Sequence, residues 1–198
     1  MASGQIDRLI DEQREDLADL LATLTPEQWQ TRSLCDEWTV RDVAVHLVQC
    51  TAHWGRFGVE ALRSGLRFDV MMSRMARSDR RTPEDVVAAL RATVGVRRRP
   101  PGTAAADPLM DILVHGQDIA VPLGITRTMP IPAAVIAAER LWGMTFPLNP
   151  RRKFAGIEFT ATDAEFSAGR GEPVRKPIQD IVLVLAGRPV SPGSACGQ

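Results

Sequence analysis

Asp111 and His115 stand four residues apart, a spacing that puts a carboxylate and an imidazole on one face of a helix, one turn from each other. At about 100° per residue, both fall on the shoulder of an apolar stripe made by Ile112 and Ile119. His46 holds the same kind of shoulder on an earlier stretch, between Val43 and Cys50. Two such shoulders facing each other across a bundle groove would gather two imidazoles and one carboxylate. That donor set holds a Zn²⁺ while leaving a fourth position open for water or substrate. The competing reading makes both histidines hydrogen-bonded structural residues, with Asp111 a first-turn carboxylate complementing a helix dipole.

These residues need rigid elements to bring them together. Ile6, Leu9, Ile10, Leu17, Leu20, Leu21 and Leu24 recur at helical spacing, predicting an amphipathic helix over 6–24. Thr25-Pro26-Glu27-Gln28 reads as a cap, an N1 proline and a capping-box glutamine opening a short turn. Thr39 followed by Asp42 opens a second helix over about 40–64, whose inner face carries Val40, Val43, Ala44, Leu47 and Trp54. Thr82-Pro83-Glu84-Asp85 opens a third, ending near the Arg97–Gly102 breaker, and Met71, Met72 and Met75 suggest a partial turn before it. Asp107-Pro108 opens the helix of Asp111 and His115, which stops at Pro122-Leu123-Gly124. Pro132 to about Phe146 supports a fifth, alanine-rich helix. Beyond Pro150, Phe154–Thr160 and Ala164–Ser167 read as short strands around a Thr162-Asp163 turn, and Pro177 opens a last helix that stops at Gly187. The tail from Ser191 is expected to fray. The fold class expected is mainly α: a helical bundle over residues 1–150, with an extra helix, followed by a small α+β domain over 151–198. Each helix has one apolar stripe, and only a shared core can bury them all.

Composition narrows the function. In 198 residues the basic and acidic side chains number 24 each, so no global field recruits nucleic acid or an anionic membrane. Arg97-Arg98-Arg99 beside a proline breaker marks a solvated helix end, without the wider basic face or interleaved aromatics of a nucleic-acid site. No apolar run reaches the length of a membrane span, and the amino terminus lacks a signal-peptide core. Cys35, Cys50 and Cys196 form no CxxC pair and are too few for a disulfide framework, which fits a reducing cytoplasm. A cytoplasmic protein with neither nucleic-acid nor membrane partners is expected. A homodimer is compatible with these features.

Two stretches carry a family resemblance. Trp38-Thr39-Val40-Arg41-Asp42-Val43-Ala44-Val45-His46-Leu47 resembles the Trp-Thr-Val signature of the DinB-like and mycothiol-dependent maleylpyruvate isomerase superfamily. Asp111–Asp118 resembles that family's second motif, a carboxylate and a histidine four apart with an aspartate three further on. Ala161–Ser167 and Ala186-Gly187-Arg188 are similar to its appended carboxy-terminal domain. The resemblance implies a DinB-like four-helix bundle binding a divalent metal, taken as zinc, through His46, Asp111 and His115. It further implies mycothiol as cosubstrate and Arg188 as a catalytic residue near the site. Arg188 can also be read as a partner for a helix carboxy-terminus. The family pattern has glutamate where this chain has Asp111, shortening the reach by about 1.5 Å against a metal tolerance of about ±0.2 Å. Asp118, one turn beyond His115, is the alternative ligand or a supporting carboxylate.

The chemistry implied is that of a metal-favoured thiolate. It would add reversibly to a conjugated alkene to allow cis–trans isomerisation, or attack a small electrophile in S-transfer. The alternatives are a metal-dependent hydrolase without a thiol and a non-catalytic stress-response or binding bundle. Substrate choice is expected from groove residues, with Met71, Met72, Met75, Trp54 and Phe57 as candidates. His53, about 10 Å along the axis from His46, is too far to share its metal. Asp42 is first a capping carboxylate and only second an orienter of His46. Trp38 reads as a packing residue ahead of the Thr39 cap.

Overall fold

A computed structural model describes residues 3–51, 74, 76–98 and 102–188. The expected stretch 52–64, with His53, Trp54 and Phe57, lies outside the described residues. So do Met71, Met72, Met75, Arg99, Cys196 and the tail from Ser191. The chain divides into two compact units, Met1–Arg127 and Thr128–Gln198. The domain boundary expected near residue 150 falls inside the second of them.

In the first unit, α1 spans Ser3–Ala22, α2 Pro26–Trp29, α3 Val40–Gln49, α4 Pro83–Arg91 and α5 Asp107–Ala120. Local hydrogen bonds explain three of the helix starts. Thr25, Thr39 and Thr82 each accept the N–H of the third helical residue, and Gln28, Asp42 and Asp85 reach back to the cap N–H. Each reciprocal pair satisfies two amides that a helix start otherwise leaves orphaned. Helix α4 ends at Arg91, short of the Arg97–Gly102 breaker, in a run of turns. There the carbonyls of Thr93 and Val96 accept from buried Arg14 at 2.6 and 3.1 Å. Arg97 is therefore no helix end: it pairs with Asp11 and Asp7 of α1, and its guanidinium holds the Asp11 carboxyl below its ordinary range.

Helix α1 packs against α4 and α5, and α3 packs against the same two, closing a ring of four. Leu17, Leu21, Val40, Val43, Leu90, Leu109 and Leu113 are sealed inside it. Each such side chain contributes about 1.5–3 kcal/mol of transfer free energy. The α3–α5 seam is where the chemically interesting side chains lie.

The second unit is built from α6 (Ile131–Trp142), α7 (Pro150–Lys153), β1 (Gly156–Ala161), β2 (Ser167–Gly169), β3 (Gly171–Lys176) and α8 (Ile178–Leu185). Helix α6 packs on α8, and buried Ala134, Ala137 and Ala138 are small enough to permit close approach. This packing assigns the alanine-rich helix to the second unit and not to the bundle. The sheet has order β2-β1-β3, with β2 antiparallel and β3 parallel to β1. Strand β3 was not expected, because Gly171-Glu172-Pro173 shows no strand pattern. It forms as an edge strand, where a proline costs no interior ladder bond. Residues 169–171 carry the chain from one side of β1 to the other. A Cβ at Gly169 or Gly171 would lie 2.1 Å from a carbonyl oxygen of β1, and both have positive φ. Only glycine fits that crossing.

Candidate metal centre

Thr39 caps α3 with the side chain that also engages Asp42, whose Oδ2 accepts from Thr39 N–H at 3.0 Å and from Thr39 Oγ1 at 2.9 Å. The Asp42 carboxylate is therefore occupied at the helix start. One turn further, His46 points into the α3–α5 seam and is 7% exposed. Trp38, itself buried, lies edge-on against it with ring centroids 5.2 Å apart.

Across the seam stand Asp111 and His115. The Oδ2 of Asp111 lies 4.0 Å from Nε2 of His46, and its Oδ1 lies 4.0 Å from Nε2 of His115. The two imidazoles meet edge to face, with centroids 4.9 Å apart. One donor atom from each of the three residues lies within 4.8 Å of the others. The structure thus brings together the three residues expected to converge, and the short Asp111 side chain reaches both rings. Donors on one zinc at about 2.0–2.2 Å stand about 3.4 Å apart in a tetrahedron, so the cluster needs to close by about 1 Å to hold an ion. The donor set fits the metal.

Asp118 does something else. Its buried carboxylate lies 2.8 Å from Nδ1 of His115 and accepts from the Cys35 thiol at 3.0 Å. Its backbone carbonyl also accepts from Leu34 N–H, which ties the loop before α3 to α5. A carboxylate can only accept, so it keeps a proton on Nδ1 and turns Nε2 toward Asp111 and His46. Cys35, His115 and Asp118 also sit close enough to be read as a second donor group. Cys35 stands 3.7 Å from Nδ1 of His115, but the two contacts to Asp118, at 2.8 and 3.0 Å, are those of hydrogen bonds and shorter than the edges of a metal tetrahedron.

The charges follow from these contacts. Burial, and the charge of His115 beside it, push His46 down to about 3, so its imidazole is neutral with a lone pair at pH 7. Burial alone would also lower His115, but the bond to Asp118, with Cys35 and Asp111, raises it to about 10. Burial and the Asp111 carboxylate raise the Cys50 thiol well above its ordinary range.

Two neighbours of the cluster had escaped sequence reasoning. Cys50 lies 3.6 Å from His46 Nε2 and 3.7 Å from Asp111 Oδ2. Its position one turn after His46 was a readable signal. Cys35 comes from a loop, and no local spacing announces it. Arg188 lies in the second unit, where its Nη1 donates to the Ala186 carbonyl at 3.0 Å and its backbone N–H to Leu183 at 2.8 Å.

The first unit is a helical bundle that gathers two imidazoles and a carboxylate between two of its helices. The model of the mycothiol maleylpyruvate isomerase N-terminal domain matches residues 10–108, and the chain belongs to that family. The matched segment contains His46 and stops just before Asp111. A crystal structure of the mycothiol-dependent maleylpyruvate isomerase is similar in fold, with a TM-score of 0.62 at 14% identity, covering 96% of this chain and 90% of that one. A histidine-to-alanine variant of that enzyme aligns over the same shares with a TM-score of 0.52, also at 14% identity. No curated protein matches the sequence. Among the described residues, no helix is long and apolar enough to cross a membrane.

Proposed function

We propose that this chain is a divalent-metal-dependent isomerase that uses mycothiol as cosubstrate on a small conjugated electrophile of the maleylpyruvate type. His46, Asp111 and His115 are its metal ligands, and zinc is the ion that the two imidazoles and one carboxylate suit best. The observation that carries this reading is the meeting of His46 from α3 with Asp111 and His115 from α5, in a chain of this family.

When bound, the ion supplies Lewis acidity that favours the thiolate form of a thiol near neutral pH. The protein's own residues do the rest. His46, held neutral by burial, offers a lone pair without first losing a proton. Asp118 anchors His115 through Nδ1, which would leave Nε2 to hold a cation. Trp38 backs the His46 ring and keeps it from turning away from the seam. Asp111 contributes the negative charge that balances the cation.

The test is elemental analysis of the purified protein, coupled to an assay of cis–trans isomerisation with and without mycothiol. About one metal ion per chain and thiol-dependent turnover are expected, with both lost in His115→Ala. Metal without thiol dependence would redirect the reading to a hydrolase. A protein that takes up no metal would end it.

A further inference from the structure

We infer that Arg127 and Gly116 are positioning residues that set the spacing of α5 from α1 and thereby hold His115 opposite His46, a role that rests on the metal site proposed above. After α5 the chain turns at Gly124, whose φ is 66°, and returns to the helix, where Gln117 Nε2 donates to the Arg127 carbonyl at 2.6 Å. The Arg127 side chain is buried between α5 and α1. Its Nη2 donates to Gln13 Oε1 at 2.9 Å and pairs with Asp16 Oδ2 at 2.6 Å, both on α1. On its other side the flat guanidinium covers Gly116. A Cβ there would lie 2.6 Å from Nη1, 3.1 Å from Cζ and 3.5 Å from Nε.

Two observations set this contact apart from ordinary packing. Nε and Nη1 of Arg127 are buried with no hydrogen-bond partner among the described residues, and an unsatisfied buried donor is destabilising. Gly116 lies inside α5, where alanine is the better helix former. Neither residue is the choice that local stability favours. Together they let a planar group rest directly on the α5 backbone, so that the thickness of a guanidinium sets the spacing between the two helices.

Helix α5 packs against both α1 and α3, so that spacing also decides how His115 meets His46. Arg127 is pinned at its guanidinium by α1 and at its carbonyl by Gln117. A Cβ at 116, far short of the roughly 3.4 Å where ordinary contact begins, would therefore push on α5 itself. The displacement that relieves it is large against the about ±0.2 Å within which metal–ligand distances are held.

The experiment measures zinc affinity by competition with a chromophoric chelator, for the unaltered full chain, Gly116→Ala, Arg127→Met and the double variant. Methionine ends about where Nε stands and leaves room for a Cβ at 116. Gly116→Ala should weaken zinc binding by about tenfold while circular dichroism shows a folded chain, a loss that a role in stability alone would not produce. Arg127→Met should also weaken it. In that background Gly116→Ala should change the affinity by less than about twofold. If Gly116→Ala does not fold, Arg127→Lys takes its place: it keeps the charge beside Asp16 but lacks the flat group, and should weaken zinc binding by a similar factor. Zinc held at full affinity by folded Gly116→Ala or by Arg127→Lys, or an equal loss from Gly116→Ala in both backgrounds, would overturn the role of this pair and leave the metal site standing. An unaltered chain that takes up no zinc would overturn the metal site as well.

Discussion

Nδ1 of His115 lies 2.8 Å from Oδ2 of Asp118, and that contact separates the tasks of the two acidic residues on α5. Asp118 is fully buried and committed to the far side of the imidazole, with Cys35 as its second partner. Asp111 is left on the near side, facing His46. Supporting carboxylates of this kind are worth about 10–100-fold in metal affinity. Asp118→Asn should weaken zinc binding by that factor in a competition titration with a chromophoric chelator, while metal stoichiometry at saturation stays unchanged. Asp111→Asn should reduce the stoichiometry itself. If Asp118→Asn abolished binding and Asp111→Asn did not, the roles would be reversed.

The placement of His46 depends on where α3 begins. Thr39 Oγ1 accepts the Asp42 N–H at 3.2 Å, and Asp42 returns a bond to the Thr39 N–H. Removing a cap of this type costs about 0.5–2 kcal/mol. Thr39→Ala should lower the melting temperature by about 1–8 °C and weaken metal binding with it, whereas Thr39→Ser should stay close to the unaltered protein. An unchanged melting temperature for Thr39→Ala would show that the cap does not hold the start of α3.

Stability should fall in acid partly through Asp79. Its carboxylate accepts from Arg81 and from Gln49 Nε2, and its backbone carbonyl from Arg41. The Arg81 guanidinium lowers its pKa from 3.8 to about 2. A carboxyl whose folded pKa is depressed stabilises the fold above its unfolded value, and that contribution fades as the pH falls from about 4 toward 2. Asp79→Asn should therefore cost about 1–2 kcal/mol at pH 7 in urea unfolding. The gap to the unaltered protein should close by about pH 2. A gap that stayed constant with pH would assign the loss to packing instead of charge.

The second unit has its own weak point at Gly171. With φ at 133° and a carbonyl oxygen of Gly156 placed 2.1 Å from any added Cβ, an alanine cannot enter without moving β1 or β3. Gly171→Ala should destabilise the sheet by several kcal/mol, beyond the usual 1–3 kcal/mol of an overpacked site. Hydrogen exchange along 156–176 would report it. Protection as strong as in the unaltered chain would refute this account of the crossing.

Much of the architecture was legible in the sequence because its signals are local. A capping box joins residues three apart, so Thr25, Thr39 and Thr82 announce their helices without reference to the rest of the chain. The Asp111–His115 pair is one helical turn and can be read in the same way. Strand β3 was not legible, since its glycine and proline are tolerated only because β1 lies beside it and solvent lies on the other flank. Nor could the alanine-rich helix α6 be assigned to its unit before its contact with α8 was known.

At the candidate centre the same division holds. Residue type and helical periodicity singled out His46, Asp111 and His115, because which face a side chain leaves is decided within a few residues. Which carboxylate faces the seam, and which cysteine stands beside the imidazoles, depends on how α3, α5 and the loop at Cys35 pack. Those contacts join residues some 60 to 80 positions apart, and only the folded chain brings them within bonding distance.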